Sequence, residues 1–406
     1  MSTTPAQQKF DVGGVLLLRP FKVRRLGHFG LHLTNMKAGI PFYTDALGFR
    51  VSDKMDYRTI AKNPQELDAI EDPYVYFMRY NGDHHAFVPG NKRASDARRG
   101  VEGHDSTGQM SWQVGGLTEV TNTIPWLEER GLKIRNVGRD MPGSNWHVYF
   151  TDPDGRTIEL FYGMEQIGWT GRTKPKPMYD RAFHVPPPTP QISEFDEVQD
   201  ALARGIDIES GYRHEELPAK YEVDGILLPR PFKIVNMGPL RLFAEDMRAT
   251  ESFYRDVMGF VLTEEVVWQG QRCVLMRVNT EHHSLGLYPI ALRSMLDLSD
   301  HTTCLSFGIQ VGTYRQLRDA IDFLKAEGCT VRELPTELSP GIDYSAYVSD
   351  PDGHALQLYF QMEQIGWDGK PRPVEMRPYV EAGHWPEHLD AQPDTYTGQV
   401  FLGPLG

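Results

Sequence analysis

Cysteine is scarce in this chain. Its 406 residues include 3 of them, Cys273, Cys304 and Cys329, all in the second half and none in a CxxC spacing. That usage excludes a disulfide-framed scaffold and fits reduced thiols. Long apolar runs are missing too: nothing approaches the roughly 20 residues needed to span a bilayer as a helix. Residues 1–9 lack the basic-then-apolar order of a secretory leader, so a cytoplasmic location is expected, with no membrane partner. Basic charge is also short. Against 55 Asp and Glu stand 42 Lys and Arg, a net charge of −13 that disfavours nucleic acid or an anionic membrane surface.

What the chain has in quantity is itself, twice. Gly14-Val15-Leu16-Leu17-Leu18-Arg19-Pro20-Phe21-Lys22 returns as Gly225-Ile226-Leu227-Leu228-Pro229-Arg230-Pro231-Phe232-Lys233. Asp152-Pro153-Asp154-Gly155 returns as Asp350-Pro351-Asp352-Gly353, and Met164-Glu165-Gln166-Ile167-Gly168-Trp169 as Met362-Glu363-Gln364-Ile365-Gly366-Trp367. Self-similarity on this scale implies one fold duplicated by fusion. The expected division is a first repeat over 12–178, a Pro-rich linker over 179–222, a second repeat over 223–376 and an irregular tail over 377–406.

Each repeat contains a smaller unit twice. In the first, 25–34 reads as a strand. A helix over 37–47 follows, with apolar residues at Ile40, Tyr43 and Leu47 and a stop at Gly48. Strands are expected over 51–55, 74–80 and 84–88. The second unit runs as a strand over 109–114, a helix over 117–130 and strands near 133–137, 147–151 and 157–162. The Asp-Pro-Asp-Gly tetrapeptide supplies a hairpin turn between the last two. The expected fold class is α+β: a tandem duplication of paired βαβββ modules, four modules closing in pairs into two half-barrel domains. Phe42 aligns with Phe253 at a spacing of 211 and His84 with His282 at 198, so the first repeat carries 13 additional residues near 57–71. An added segment beside a cleft is a candidate lid.

The repeats differ where chemistry is expected. Strand alternation puts His28, Gly30 and His32 on one face. Glu159 interrupts an apolar strand, where an unpaired buried carboxylate is costly. The second repeat has Pro239 for His28 and Gln357 for Glu159. Two groups able to ligate a metal vanish together, which points to a metal site in the first repeat alone.

Gly27-His28-Phe29-Gly30-Leu31, Phe42-Tyr43, Leu47-Gly48-Phe49 and Asp152-Pro153-Asp154-Gly155 with Glu159 resemble the vicinal oxygen chelate superfamily, over both repeats. Four modules in one chain, and the paired histidines His84-His85 and His282-His283, are most similar to its type I extradiol ring-cleaving dioxygenases. That resemblance implies His28 and Glu159 as metal ligands, His85 as the acid–base histidine and Tyr149 as the active-site tyrosine. The family's remaining ligand is a histidine, and Gln109 stands there, with Ser306 as its counterpart; His104 is the other candidate. The family also keeps its metal in the C-terminal half. The resemblance implies Fe(II), with Mn(II) or another divalent ion as alternative, a small catechol-like aromatic substrate and O2, and a homo-oligomer. His32, His147 and Trp112 are expected to line the substrate pocket. Two other readings remain open. A glyoxalase or epimerase would use His28, His85, Gln109 and Glu159 as four ligands without O2, and a binding protein would sequester an aromatic without turnover.

Overall fold

The computed structural model describes residues 8–100, 105–179, 190–378, 380 and 384–389. Two eight-stranded mixed sheets, one per repeat, have the same strand order. In the first half the strands are β1 (Arg25–Leu33), β2 (Arg50–Asp56), β3 (Tyr74–Arg79), β4 (Phe87–Asn91), β5 (Thr107–Gln113), β6 (Asn136–Gly138), β7 (Trp146–Thr151) and β8 (Thr157–Tyr162). They lie in the order β2-β3-β4-β1-β5-β8-β7-β6. The two modules meet where β1 runs antiparallel to β5, and β8 lies parallel to β5. First strands of both modules therefore sit at the middle of the sheet beside β8, and this arrangement brings His28, Gln109 and Glu159 together. The duplicated half-barrel architecture expected from the sequence is the one observed.

Helix α1 (Met36–Pro41) continues as a π-helical turn, Phe42–Leu47, ended by Gly48 in the left-handed region. The second half repeats this at Phe253–Met258 and Gly259. Three details differ from the sequence expectation. The strand placed over 84–88 begins at Phe87, leaving His84 and His85 in the turn before it, because Asp83 bridges to Gln166 instead of continuing the sheet. Helix α2 (Lys92–Arg99) follows at once, capped by the Asn91 side chain on Ala94 N–H. The segment between the repeats carries a helix, Glu194–Ala203, whose Glu197 pairs with Arg139 at 2.8 Å. The expected Pro-Pro-Pro stretch and most of the tail lie outside the described residues.

The repeated motifs are docking devices. Arg19 donates to the carbonyl of Gly259, and Arg230 to that of Thr44, so each Arg-Pro-Phe segment grips the helix end of the other half. Carbonyls left open at a helix C-terminus favour such cations. Glycine is required there twice over. Gly48 has φ +98, and a Cβ on it would lie 2.3 Å from the Arg230 guanidinium. The Asp-Pro-Asp-Gly turns exchange likewise: Tyr43 OH donates to Asp350 at 2.8 Å, and Tyr254 OH to Asp152 at 3.4 Å. One hydrophobic core runs through both halves, with Phe87 stacked on Phe307.

The Met-Glu-Gln-Ile-Gly-Trp segment holds the double-histidine turn. His84 N–H donates to the Glu165 carbonyl, and Ile167 N–H to that of Gly82, both at 2.8 Å. The Glu165 carboxylate accepts from Lys174 N–H through Oε1, while its Oε2 is buried without a hydrogen bond. Burial pushes this carboxyl up from 4.5 to about 8. The folded form therefore binds the proton more tightly than the unfolded chain. Its contribution to stability is complete below the unfolded value and is lost as pH rises towards about 8. Glu165→Gln is expected to flatten the decline in urea midpoint across that window. An unchanged pH profile in the variant would place the proton elsewhere.

Candidate active site

A cavity of about 320 Å³ opens into the concave face of the first sheet. His28 and His85 lie deep in it, 1% and 2% exposed, with ring centroids 4.3 Å apart. His28 Nε2 lies 2.7 Å from Glu159 Oε2, and Glu159 is fully buried directly behind it. The carboxylate is tightly held: Ser111 Oγ donates to Oε2 at 2.5 Å and Asn145 Nδ2 to Oε1 at 2.7 Å. Burial works against its charge, but His28, His147 and Ser111 outweigh burial and keep the carboxyl below its usual value.

Gln109 lines the cavity from β5, directly opposite Gly30 on β1. Its Nε2 lies 3.4 Å from Ser111 Oγ, and its side chain also hydrogen-bonds Tyr149. Close approach explains Gly30, where a Cβ would come within 2.9 Å of Gln109. Tyr149 faces the cavity as well, and burial together with the Glu159 charge pushes its hydroxyl well above the usual value. It remains a protonated donor at neutral pH.

His85 Nδ1 is 2.9 Å from His84 Nδ1, which leaves Nε2 for a ligand in the cavity. Burial, then the neighbouring His28 and His84, hold His85 well below its usual value. The ring is neutral at pH 7 and so able to accept a proton. His32 lines the cavity, tied to Ser95 Oγ at 3.1 Å and to the Asp105 carbonyl at 3.3 Å, and burial lowers it to about 4.

Two expected pocket residues lie elsewhere. His147 shares Tyr149's face, ring centroids 4.7 Å apart, but is fully buried, with Nε2 3.2 Å from Asp140 and Nδ1 3.7 Å from Glu159. It supports the carboxylate from behind. Trp112 is fully buried edge-on against Phe260 at 4.8 Å, in the core joining the halves, because alternation along β5 turns it away from Gln109 and Ser111. His104 lies outside the described residues. Among the described residues no group of three His, Cys, Asp or Glu side chains is placed to hold a metal. Ser111 and Asn145 were missed, although the repeats exchange them for Gly308 and Asp343.

The same place in the second half is closed. Register pairs Gly30 with Gln109 in the first sheet and Arg241 with Ser306 in the second. The small and large partners have changed sides. Arg241 is fully buried, and its guanidinium bonds Tyr347 OH at 2.9 Å, His283 Nε2 at 3.2 Å and Ser306 Oγ at 3.5 Å. Those three are the counterparts of Tyr149, His85 and Gln109, so an arginine fills the volume that the first half leaves open.

The Glyoxalase/Bleomycin resistance protein/Dioxygenase superfamily model matches residues 25–160 and 236–358, more than half of the chain and both repeats. A 3-methylcatechol 2,3-dioxygenase of Pseudomonas putida is 36% identical over 146 residues, 35% of this chain and 43% of that protein. The match thus spans less than half the length of that relative. Among solved structures, homoprotocatechuate 2,3-dioxygenase from Brevibacterium fuscum is similar over 87% of this chain and 85% of that one, with TM-score 0.55 and 15% identity. A Mn(II)-bound glyoxalase from Novosphingobium aromaticivorans is similar over 89% and 96%, with TM-score 0.52 and 12% identity. The two structural likenesses concern the fold.

Proposed function

The chain belongs to the Glyoxalase/Bleomycin resistance protein/Dioxygenase superfamily, and on that premise we propose that its first half is an extradiol-type dioxygenase site for a catechol-like aromatic. The observation that carries this reading is the buried His28–Glu159 pair at the end of an open cavity, against an arginine plug at the same place in the second half. The donor chemistry fits a divalent metal. Glu159 is fully buried, a place where a cation is the natural counter-charge of a carboxylate, and His28 and Gln109 offer neutral nitrogen and oxygen donors beside it. His28, Gln109 and Glu159 would hold Fe(II) or Mn(II), which would supply Lewis-acid and redox chemistry to a chelating substrate and O2.

The chain's own residues then have separate tasks. Phe77, Val75 and Val88 give the ring an apolar wall that excludes water. Neutral His85 takes the proton of a substrate hydroxyl at Nε2, its orientation fixed through Nδ1 by His84. Tyr149 donates its hydroxyl to negative charge that develops on a substrate oxygen. Ser111, Asn145 and His147 keep the Glu159 carboxylate in one orientation.

The second reading, an O2-independent isomerase or lyase, would take His28, His85, Gln109 and Glu159 as four donors, although among the described residues His28, His85 and Glu159 are not grouped to hold one ion. Oxygen consumption decides between them. Ring cleavage places both atoms of O2 in the ring-opened product, so uptake is expected to equal catechol consumed in protein reconstituted with iron or manganese. No uptake with any catechol in the metal-loaded protein would overturn the dioxygenase reading.

A further inference from the structure

Three arginines, Arg98, Arg99 and Arg135, line the cavity, and among its described lining residues there is no aspartate or glutamate. Arg99 is answered within α2 by Asp96 at 2.8 Å. The other two have no carboxylate partner among the described residues. The Arg135 guanidinium donates to Thr157 Oγ1, at 2.9 Å. Arg98 stands over the Tyr57 ring, 5.8 Å from its centroid, with its Nε buried and without a hydrogen bond. Burial lowers its pKa, and the charges of Arg99 and Arg135 add to that, against the opposing pull of Tyr57. Two neighbouring cations, one of them partly desolvated, are costly to hold without a counter-anion.

The device belongs to the working half. Tyr57 comes from the segment that lengthens the first repeat, which folds into the short turns Tyr57–Thr59 and Pro64–Leu67 against α2. Ile60 of that segment also lines the cavity. In the second half the helix corresponding to α2 is the short Leu292–Met295. The added segment is thus part of the cavity wall, and it holds Arg98 there.

We propose that the substrate is an aromatic acid whose carboxylate seats between Arg98 and Arg135 while its ring lies against the apolar wall. This rests on reading the cavity as the catalytic site, with the reacting end of the ring toward His28 and His85. Arginine suits the task because its fork matches a carboxylate, and a charge-assisted pair in a partly enclosed wall outweighs one in open water.

The test is equilibrium binding to the full-length protein without O2. A dihydroxybenzoate and a dihydroxyphenylacetate are each compared with their neutral amides, and benzoate is compared with benzamide. The acids are expected to bind roughly tenfold or more tightly than the amides, with the preference shrinking as salt rises. Arg98→Met and Arg135→Met are each expected to cost the acids about tenfold, to leave amide affinity unchanged and not to lower the thermal midpoint. Binding is read without turnover and partly on probes with no diol, so failure of ring cleavage shows separately in the oxygen assay. Amides binding as tightly as acids, no detectable binding of any acid, or variants that weaken acid and amide alike would each overturn the proposal.

Discussion

Glu159→Gln is expected to give a folded protein that no longer retains a divalent metal. Turnover is expected to fall by more than the roughly 10–100-fold that losing an outer contact to a metal costs. The substitution preserves shape and removes charge, and the second half already carries it. Gln357 is fully buried at the equivalent place, where its Nε2 donates to Ser345 Oγ at 2.9 Å. In the first half Glu159 accepts from both Ser111 and Asn145, and an amide there keeps these partners only by turning its nitrogen to the Ser111 hydroxyl, with the charge that strengthens both hydrogen bonds lost. That costs about 1–3 kcal/mol, a tolerable fraction of the roughly 5–15 kcal/mol that holds a domain together. Metal per chain after reconstitution, measured beside the thermal midpoint, separates loss of the ion from loss of the fold. A Glu159→Gln variant that keeps full metal and full activity would put the site elsewhere.

The sequence made the architecture legible because the duplication doubled every signal. Gly48 and Gly259, Asp152 and Asp350, and Arg19 and Arg230 each occur as a pair, and each pair turned out to dock one half on the other. The centre of the site was legible for the opposite reason, since His28 and Glu159 lack counterparts. Comparison of the repeats by position also contained the arginine plug. Gly30 corresponds to Arg241, and that exchange registers as meaningful only once β1 and β5 are known to place Gly30 against Gln109. Trp112 was misread although alternation from Gln109, three residues away on the same strand, already turns it to the opposite face. The mouth was the least legible part. Arg98 and Arg135 sit on different modules, 37 residues apart in sequence, and no local pattern signals that a helix end and a strand edge meet around one opening.

The second large effect is expected at His85 and not at its twin. Persistence of His283 in a half without ligands argues, from sequence alone, that the paired histidines are structural. The geometry separates the two cases. In both halves the first histidine of the pair contacts the second through Nδ1, at 2.9 Å in one and 3.1 Å in the other, and a Met-Glu-Gln-Ile-Gly segment holds the turn. That shared part is scaffold. The difference lies at the far nitrogen. His283 Nε2 faces the Arg241 guanidinium at 3.2 Å and is committed, whereas His85 opens onto a cavity lined by His28 and Tyr149. The same scaffold therefore serves a plug in one half and presents a proton acceptor in the other. His85→Asn is expected to lower kcat by roughly 10²–10⁴-fold, the range for a lost general acid–base group, with metal content unchanged. His283→Asn is expected to leave kcat alone and to cost about 1–3 kcal/mol of stability, because it strands the buried Arg241 without one of its acceptors. Both variants are to be read by kcat, metal content and urea midpoint. Equal loss of kcat in the two would mean that the histidines act through the shared scaffold, and the division of labour between the halves would fail.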